Sequence, residues 1–307
     1  MSVLAAPPAS PDASRDLAGK VAGVDRRVEW RRIAPFVLLH LACALVLVVG
    51  WSPVAVGTAV LLYAVRMFGI TAFYHRYFSH RAFRAGRVVQ FLGAVLGAAA
   101  TQRGPLWWAA HHRRHHRFAD TEQDAHSPHA HGFWWAHMGW FTNRSNFATD
   151  LQQVPDLAQF PELVWLDRHD RVVPLLLLAV LAGVGAALAA FAPELGTDAA
   201  QMVVWGYVVS TVVLFHATCS INSLGHVFGR RPYATRDQSR NSALLALLTF
   251  GEGWHNNHHF CPGSVRQGFH WWQVDVTWYV LWCLGRLGLV SGLRPLPARV
   301  RSARRAS

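Results

Sequence analysis

Four apolar stretches, 33–52, 54–73, 174–193 and 200–221, are each long enough to cross a bilayer, which takes roughly 20 residues per helix. The first two are separated only by an uncharged turn at Ser52 and Pro53. The last two are joined by a short loop carrying Glu194 and Asp198. A fifth apolar stretch, 88–100, covers only about 20 Å as a helix and is expected on the membrane surface or inside the protein. Composition agrees with an all-α membrane protein: 52% of residues are hydrophobic and 15% charged, against about a quarter charged in soluble domains. The 14 Trp suit the membrane–water interface.

Arginine placement sets an orientation. Arg26, Arg27, Arg31 and Arg32 precede the first stretch, and Arg76, Arg81, Arg84 and Arg87 follow the second. The turn between them has no basic residue. The positive-inside rule then puts the N-terminus, the segment 74–173 and the C-terminal third in the cytoplasm. Arg66 lies inside the second stretch, where a charge is costly. It is expected to snorkel to the cytoplasmic interface, the alternative being that it meets a polar substrate group or faces the bundle interior. Residues 1–32 carry no early apolar region, so no cleavable signal peptide is expected, and they read as a flexible arm. The stretch 271–289, broken by Asp275 and Arg286, reads as an interfacial amphipathic helix, and 294–307 as a solvated basic tail.

Net charge is +12. Such a balance favours anionic headgroups, phosphate-bearing substrates and acidic redox partners. Nucleic acid is excluded as a partner, because the basic residues cluster beside apolar stretches rather than along one soluble face. Only Lys20 among the 29 basic residues is lysine, which fits a GC-rich genome. Cys43, Cys219, Cys261 and Cys283 show no paired spacing, so neither a disulfide nor a zinc ribbon is expected.

The 18 histidines are the anomaly. Three clusters stand out: His75 with His80; His111, His112, His115 and His116; and His255, His258 and His259. Positions i, i+3 and i+4 of a helix share a face. Thus His112, His115 and His116 converge, and so do His255, His258 and His259. His75 and His80, five apart, can meet one site if their helix ends between them. Asn222 and His226, four apart, share a face just beyond the last stretch. Nine histidines in four segments are enough for two metal ions with four or five ligands each. Imidazole suits zinc, copper, iron or nickel. Nine ligands exceed the four of a structural zinc. The orientation above puts every cluster on one side of the bilayer, which a shared site requires.

Other histidines read more plainly. His131, His169 and His270 are expected to be capping or surface residues, and His40 and His216 to be satisfied packing residues within the spans. His126, His129 and His137 sit near the second cluster and could orient ligands.

Five strings together carry a resemblance: GITAFYHRYFSHRAF, QRGPLWWAAHHRRHHRFADT, GFWWAHMGW, INSLGHVFGRRPY and GEGWHNNHHFCPGSVRQGFHWWQVD. From about Gly69 to Leu289 the chain resembles the membrane-bound acyl-CoA desaturases of the stearoyl-CoA, delta-9 type, in their bacterial form. The resemblance implies four transmembrane helices under a cytosolic helical cap, within one domain over 33–293, in a bacterial inner membrane. It implies a dinuclear iron site on His75, His80, His112, His115, His116, His226, His255, His258 and His259, with Asn222 holding a metal through water. It implies an O₂-dependent reaction that removes two hydrogens from neighbouring methylenes of a long-chain acyl-CoA or acyl lipid and leaves a cis double bond. The chain contains no cytochrome-like or ferredoxin-like segment. Two electrons are therefore expected from a separate redox protein, such as a ferredoxin with its reductase. The alkyl chain needs a closed apolar tunnel, with Trp107, Trp108, Trp134 and Trp254 as candidates for its walls. Two alternatives stand beside this reading: a lipid or alkane hydroxylase with a similar site, and a metal transporter or sensor. Transport is disfavoured because its ligands belong within the spans.

Overall fold

The computed structural model describes residues 28–301. The expected N-terminal arm, apart from 28–32, lies outside the described residues, as does the tail from 302. In chain order the main helices are α1 (Trp30–Val49), α2 (Pro53–Ser79), α3 (Arg87–Ala98), α4 (Pro105–Phe118), α5 (Pro161–Arg168), α6 (Val172–Phe191), α7 (Ala199–Val227), α8 (Ala243–Leu248), α9 (His255–Phe260) and α10 (Val276–Arg286). A two-residue strand β1 (Arg84–Ala85) pairs antiparallel with β2 (Val290–Ser291) and ties the C-terminal segment to the end of α2.

Helices α1, α2, α6 and α7 are long and apolar enough to cross a membrane. They form two hairpins whose turns meet. Ser52 caps α2 by accepting from the Ala55 amide at 3.1 Å and lies 2.6 Å from the Thr197 hydroxyl. Gln201 donates to the Val49 carbonyl and Trp205 to the Gly50 carbonyl. These bonds place the turns 50–52 and 192–198 at one end of the bundle. The start of α1, the end of α2, the start of α6 and the end of α7 therefore share the opposite end.

Two spans run further than their apolar content suggests. α2 continues to Ser79 and α7 to Val227, beyond the limits of 73 and 221 expected from hydropathy. Both extensions remain helical because they pack on α3, α4 and the 135–139 turn instead of facing water. The last part of α2, Gly69–Ser79, is a π-helix with i→i+5 hydrogen bonds, such as His80 N–H to the His75 carbonyl at 3.2 Å. Such wide turns are rare and often sit at functional sites.

The short apolar stretch at 88–100 is largely α3, which packs one face against this π segment and leaves Val88 and Leu92 exposed on the other. Phe73 and Tyr74 press into α3 where it lacks side chains: a Cβ on Gly93 would stand 2.0 Å from the Phe73 ring, and one on Gly97 2.2 Å from Tyr74. Buried Leu106, Leu157, Leu163 and Leu166 extend the same core beneath α4 and α5.

Arg66 does not snorkel. It is 1% exposed and faces the bundle interior. Its guanidinium donates to the Leu62 and Ala99 carbonyls and to the hydroxyls of Thr211 and Ser210. A buried cation needs its donors satisfied, and the hydroxyls of α7 do this without leaving the bundle. The stretch 271–289 is helical only over α10. Asp275 is buried, caps α10 through the Trp278 amide and pairs with Arg76 at 3.0 Å.

The interlock of α2 with α3 leads to a prediction. Gly97→Val should lower stability by about 1–3 kcal/mol through overpacking, read as a reduced melting temperature of the detergent-purified protein. An unchanged melting temperature would refute the tight contact with Tyr74.

Candidate metal centre

Four elements bring their imidazoles to the end of the bundle opposite the turns. α4 starts at Pro105, placed at its first position, and the Trp107 amide donates to Asp167 at 2.8 Å. From there α4 presents His112, His115 and His116 on one face. The short helix α9 presents His255, His258 and His259. Its buried Asn257 donates to the Gln267 carbonyl and receives the Asn241 side-chain amide, and Asn256 pairs with the Tyr233 backbone. The end of α2 supplies His75 and His80, and the end of α7 supplies His226. The helix does end before His80, as expected, but its wide π turns also bring His80 back toward His75, with ring centroids 4.9 Å apart.

The nine rings sort into two groups. His75, His80, His112, His116 and His258 form one, and His115, His226, His255 and His259 the other. In each group one nitrogen per ring lies within 4.8 Å of every other, close enough to hold a metal ion. Facing Nε2 atoms are 3.0 Å apart for His75 and His258, 2.8 Å for His80 and His112, 3.0 Å for His226 and His255, and 3.3 Å for His115 and His259.

Carboxylates fix the ring protons. Asp124 accepts from His115 Nδ1 at 2.9 Å, Asp120 from His226 Nδ1 at 2.8 Å and Asp237 from His259 Nδ1 at 2.9 Å. Glu252 takes His75 Nδ1. A carboxylate is an acceptor, so each of these rings carries its hydrogen on Nδ1 and a lone pair on Nε2. His115 and His259 thus aim two lone pairs at each other across 3.3 Å. Only a shared cation, a proton or a metal ion, relieves that repulsion.

Protons are disfavoured in most of the cluster. Burial first, and then the neighbouring imidazoles, push His80, His112, His116, His255 and His258 well below the ordinary histidine value. Burial also takes His259 down to about 4, even though Asp237 opposes it. His115 goes the other way, because Asp124, Asp120 and Asp237 outweigh its burial. Burial pulls the acids upward, but the imidazoles and neighbouring donors hold Asp120, Asp124, Asp237 and Glu252 below the usual carboxylate range. A set of neutral imidazoles backed by ionised carboxylates fits a divalent metal.

These four acids are the functional residues that the spacing of the histidines does not reveal. Asp120 and Asp124 follow the second cluster within eight residues, and Glu252 precedes His255 by three. Such proximity is their only signal, and Asp237 has none. Each acid is itself held. Asp120 accepts from the Gln238 amide, Asp124 from the Asp120 amide, Asp237 from the Ser239 amide, and Glu252 from Arg76 and Gln267.

The remaining histidines have distinct places. His126 lies against His115, with centroids 4.5 Å apart and the rings tilted by 30°, and joins His115 and Asp124 in a third close group. His129 Nε2 donates to the His226 carbonyl. His137 bonds away from the two groups. Its Nδ1 bonds the Ser223 hydroxyl, and its Nε2 lies 3.0 Å from His216 Nδ1. His216 in turn meets His40 at 3.0 Å, so the two histidines of the spans satisfy each other. His131, expected on the surface, is buried, with Nε2 bonded to the Asp124 carbonyl. It secures the loop that carries Asp124, which is why it turns inward. His169 is exposed and bonds the Trp165 carbonyl at the end of α5. His270 stacks on Trp272.

A cavity of about 1280 Å³ reaches the centre. Its walls come from α1, α4, α6 and α7, and His112, His126 and Asn222 stand at its metal-side end. Trp107 and Trp108 line it, and Trp108 stacks on His112. Trp134 is 70% exposed and does not line it. Trp254 lines a separate cleft with Arg230, Arg231 and Trp272.

Four membrane-length helices capped by paired histidine groups define a class of membrane proteins with a histidine-rich metal centre. The fatty acid desaturase family model matches residues 49–285, and the chain belongs to that family. It is 36% identical to an icosanoyl-CoA 5-desaturase of Limnanthes douglasii over 80% of this chain and 66% of the relative. It is 37% identical to a chloroplastic palmitoyl-monogalactosyldiacylglycerol delta-7 desaturase of Arabidopsis thaliana, over 82% of this chain and 65% of the relative. The chain thus spans just under two thirds of these two plant proteins. It is 35% identical to an sn-1 stearoyl-lipid 9-desaturase of Synechocystis sp., over 90% of this chain and 83% of the relative.

Two predictions follow from the ring protons. Asp237→Asn should weaken metal retention by roughly 10–100-fold, measured by metal analysis after dialysis against a graded chelator; retention equal to wild type would show that the His259 bond does not matter. The second concerns acid. Unfolded histidines titrate near 6.5, so below that pH the unfolded chain binds more protons than the folded one and stability falls as pH falls. The metal-free protein in detergent should therefore melt at progressively lower temperature from pH 7.5 to about 5.5, whereas a flat or rising profile contradicts the depressed imidazoles.

Proposed function

We propose that this chain is an O₂-dependent fatty acyl desaturase that inserts a cis double bond into a long saturated chain carried on coenzyme A or on a lipid. The observation that carries the reading is the close pair of imidazole groups, with Nε2 of His115 and His259 facing each other at 3.3 Å and six of the nine rings held below the ordinary histidine value by burial. His75, His80, His112, His116 and His258 would hold one iron ion, and His115, His226, His255 and His259 the other. Asn222, at the end of the cavity, would reach a metal through water. Iron in such a pair supplies the reduction of O₂ that makes an oxidant able to take hydrogen from an unactivated methylene. Overall, O₂ gains two hydrogens from the acyl chain, two electrons and two protons, and leaves as two waters.

The protein's own residues do the positioning. The carboxylates keep four rings in the tautomer that offers Nε2 to metal. Trp108, stacked on His112, places an aromatic wall where the cavity meets the centre. The apolar cavity holds the alkyl chain and keeps bulk water from the reacting carbons. We assign the double bond to delta-9, the position in the name of the Synechocystis sp. relative. The functional unit is residues 33–293, with the centre facing the cytoplasm of a bacterial inner membrane. A separate redox protein, ferredoxin-like and served by its own reductase, supplies the electrons. The basic cytoplasmic flank suits an acidic partner.

The test is gas chromatography of fatty acids from a desaturase-deficient host expressing the chain. A new cis-monounsaturated acid is expected, and it should disappear with His258→Ala. Hydroxylated acids would support the hydroxylase reading instead, and an unchanged fatty acid profile would refute both.

A further inference from the structure

Helix α8 consists of six apolar residues, Ala243–Leu248. One face packs inward through the buried Leu245 and Ala246. The other carries Ala243, Leu244, Leu247 and Leu248, all exposed, Leu244 by 67% and Leu247 by 63%. A surface helix in water turns polar side chains outward, and α8 has none to turn.

A span sets the depth of this helix. The Tyr63 hydroxyl donates to the Leu248 carbonyl at 2.6 Å, and the Tyr63 ring meets the Phe250 ring edge-on. Tyr63 lies ten residues after Pro53, where α2 begins at the turn end of the bundle. Ten residues of helix rise about 15 Å, half of the roughly 30 Å apolar layer. A tyrosine side chain is shorter than the other half, so it meets Leu248 inside that layer. Val60, one turn before Tyr63 on the same face of α2, is exposed as well, which makes this side of the span lipid-facing.

The backbone of the segment 242–254 suits an apolar surrounding, where peptide groups must be bonded within the protein. Thr249 takes the Leu245 carbonyl, the Gly251 amide that of Ala246, the Glu252 amide that of Thr249 and the Thr277 amide that of Phe250. The segment closes at its base, where the Ser242 amide donates to the Gly253 carbonyl at 2.8 Å. Headgroup-layer chemistry stands there: exposed Trp272 packs on Trp254, and Arg240 precedes Ser242 by two residues.

Both arms lead into the metal centre. Asn241 exchanges bonds with Asn257 of α9 at 2.6 and 3.1 Å, and Trp254 directly precedes His255. A Cβ on Gly253 would stand 2.0 Å from the Ala246 nitrogen, so α8 is locked to the arm that enters α9.

We propose that the segment 242–254 is re-entrant: α8 lies among the acyl chains of the leaflet on the histidine side, and this lipid contact holds α9 and its three histidines in place. The inference goes beyond the desaturase reading and is independent of the reaction at the centre.

Two measurements on the iron-loaded full chain in phosphatidylcholine vesicles test it. The first compares a fluorophore on Leu247→Cys with one on Glu122→Cys, in a chain whose four native cysteines are replaced by alanine. The label at 247 should be quenched by doxyl-labelled lipid and shielded from aqueous iodide, and the label at 122 should show the reverse. Iodide quenching at 247 as strong as at 122 overturns the proposal. The second is iron retention against a graded chelator. Leu244→Glu, Leu247→Glu should release iron about tenfold more readily, because carboxylates are costly in the apolar layer. Leu244→Phe, Leu247→Phe should retain it as wild type does. Wild-type retention by the glutamate variant, or equal loss from both variants, overturns the hold of the lipid contact on α9.

Discussion

The bond from His115 to Asp124, with its counterparts at His75, His226 and His259, governs much of what surrounds it. A ring that gives its hydrogen to a carboxylate presents a lone pair from its other nitrogen. Several such lone pairs aimed inward form a site that is electrostatically unfavourable until a cation enters. The fold must therefore supply both a cluster of imidazoles and a rigid outer ring of acids. The outer ring accounts for features that packing alone leaves unexplained: the inward turn of His131, the buried Arg76 between Glu252 and Asp275, and the buried amides of Asn256 and Asn257.

The bundle serves that ring. The two hairpins meet at Ser52 and Thr197, which leaves four helix ends at the opposite side. Two of those ends extend beyond the apolar stretches and carry His75, His80, Asn222 and His226 into the cap. The π turns at the end of α2 bring two histidines five residues apart to one metal group, which a regular helix cannot do. The cavity walled by α1, α4, α6 and α7 then reaches that centre.

Much of the site was legible in the linear chain, and for a physical reason. A helix repeats its faces at i, i+3 and i+4, so His112, His115 and His116, and likewise His255, His258 and His259, declare their convergence by spacing alone. The limits of that reasoning are equally physical. Spacing assigned His131 to the surface, but it is buried because it holds a loop. Hydropathy let Arg66 snorkel, but the hydroxyls of Ser210 and Thr211 give it partners inside. Both outcomes depend on residues distant in the chain.

By itself the sequence determined the number of the spans, the gathering of the histidine clusters at one end of them and the helical faces they occupy. Each of these follows from local chemistry: apolar length against bilayer thickness, arginine placement, and the repeat of a helix. Only the tertiary structure decided how nine rings divide into groups of five and four, and which nitrogen of four of them carries the hydrogen. Those depend on Asp120, Asp124, Asp237 and Glu252 meeting rings up to 177 positions away, as Glu252 meets His75. Contacts at such separation leave no periodic trace along the chain.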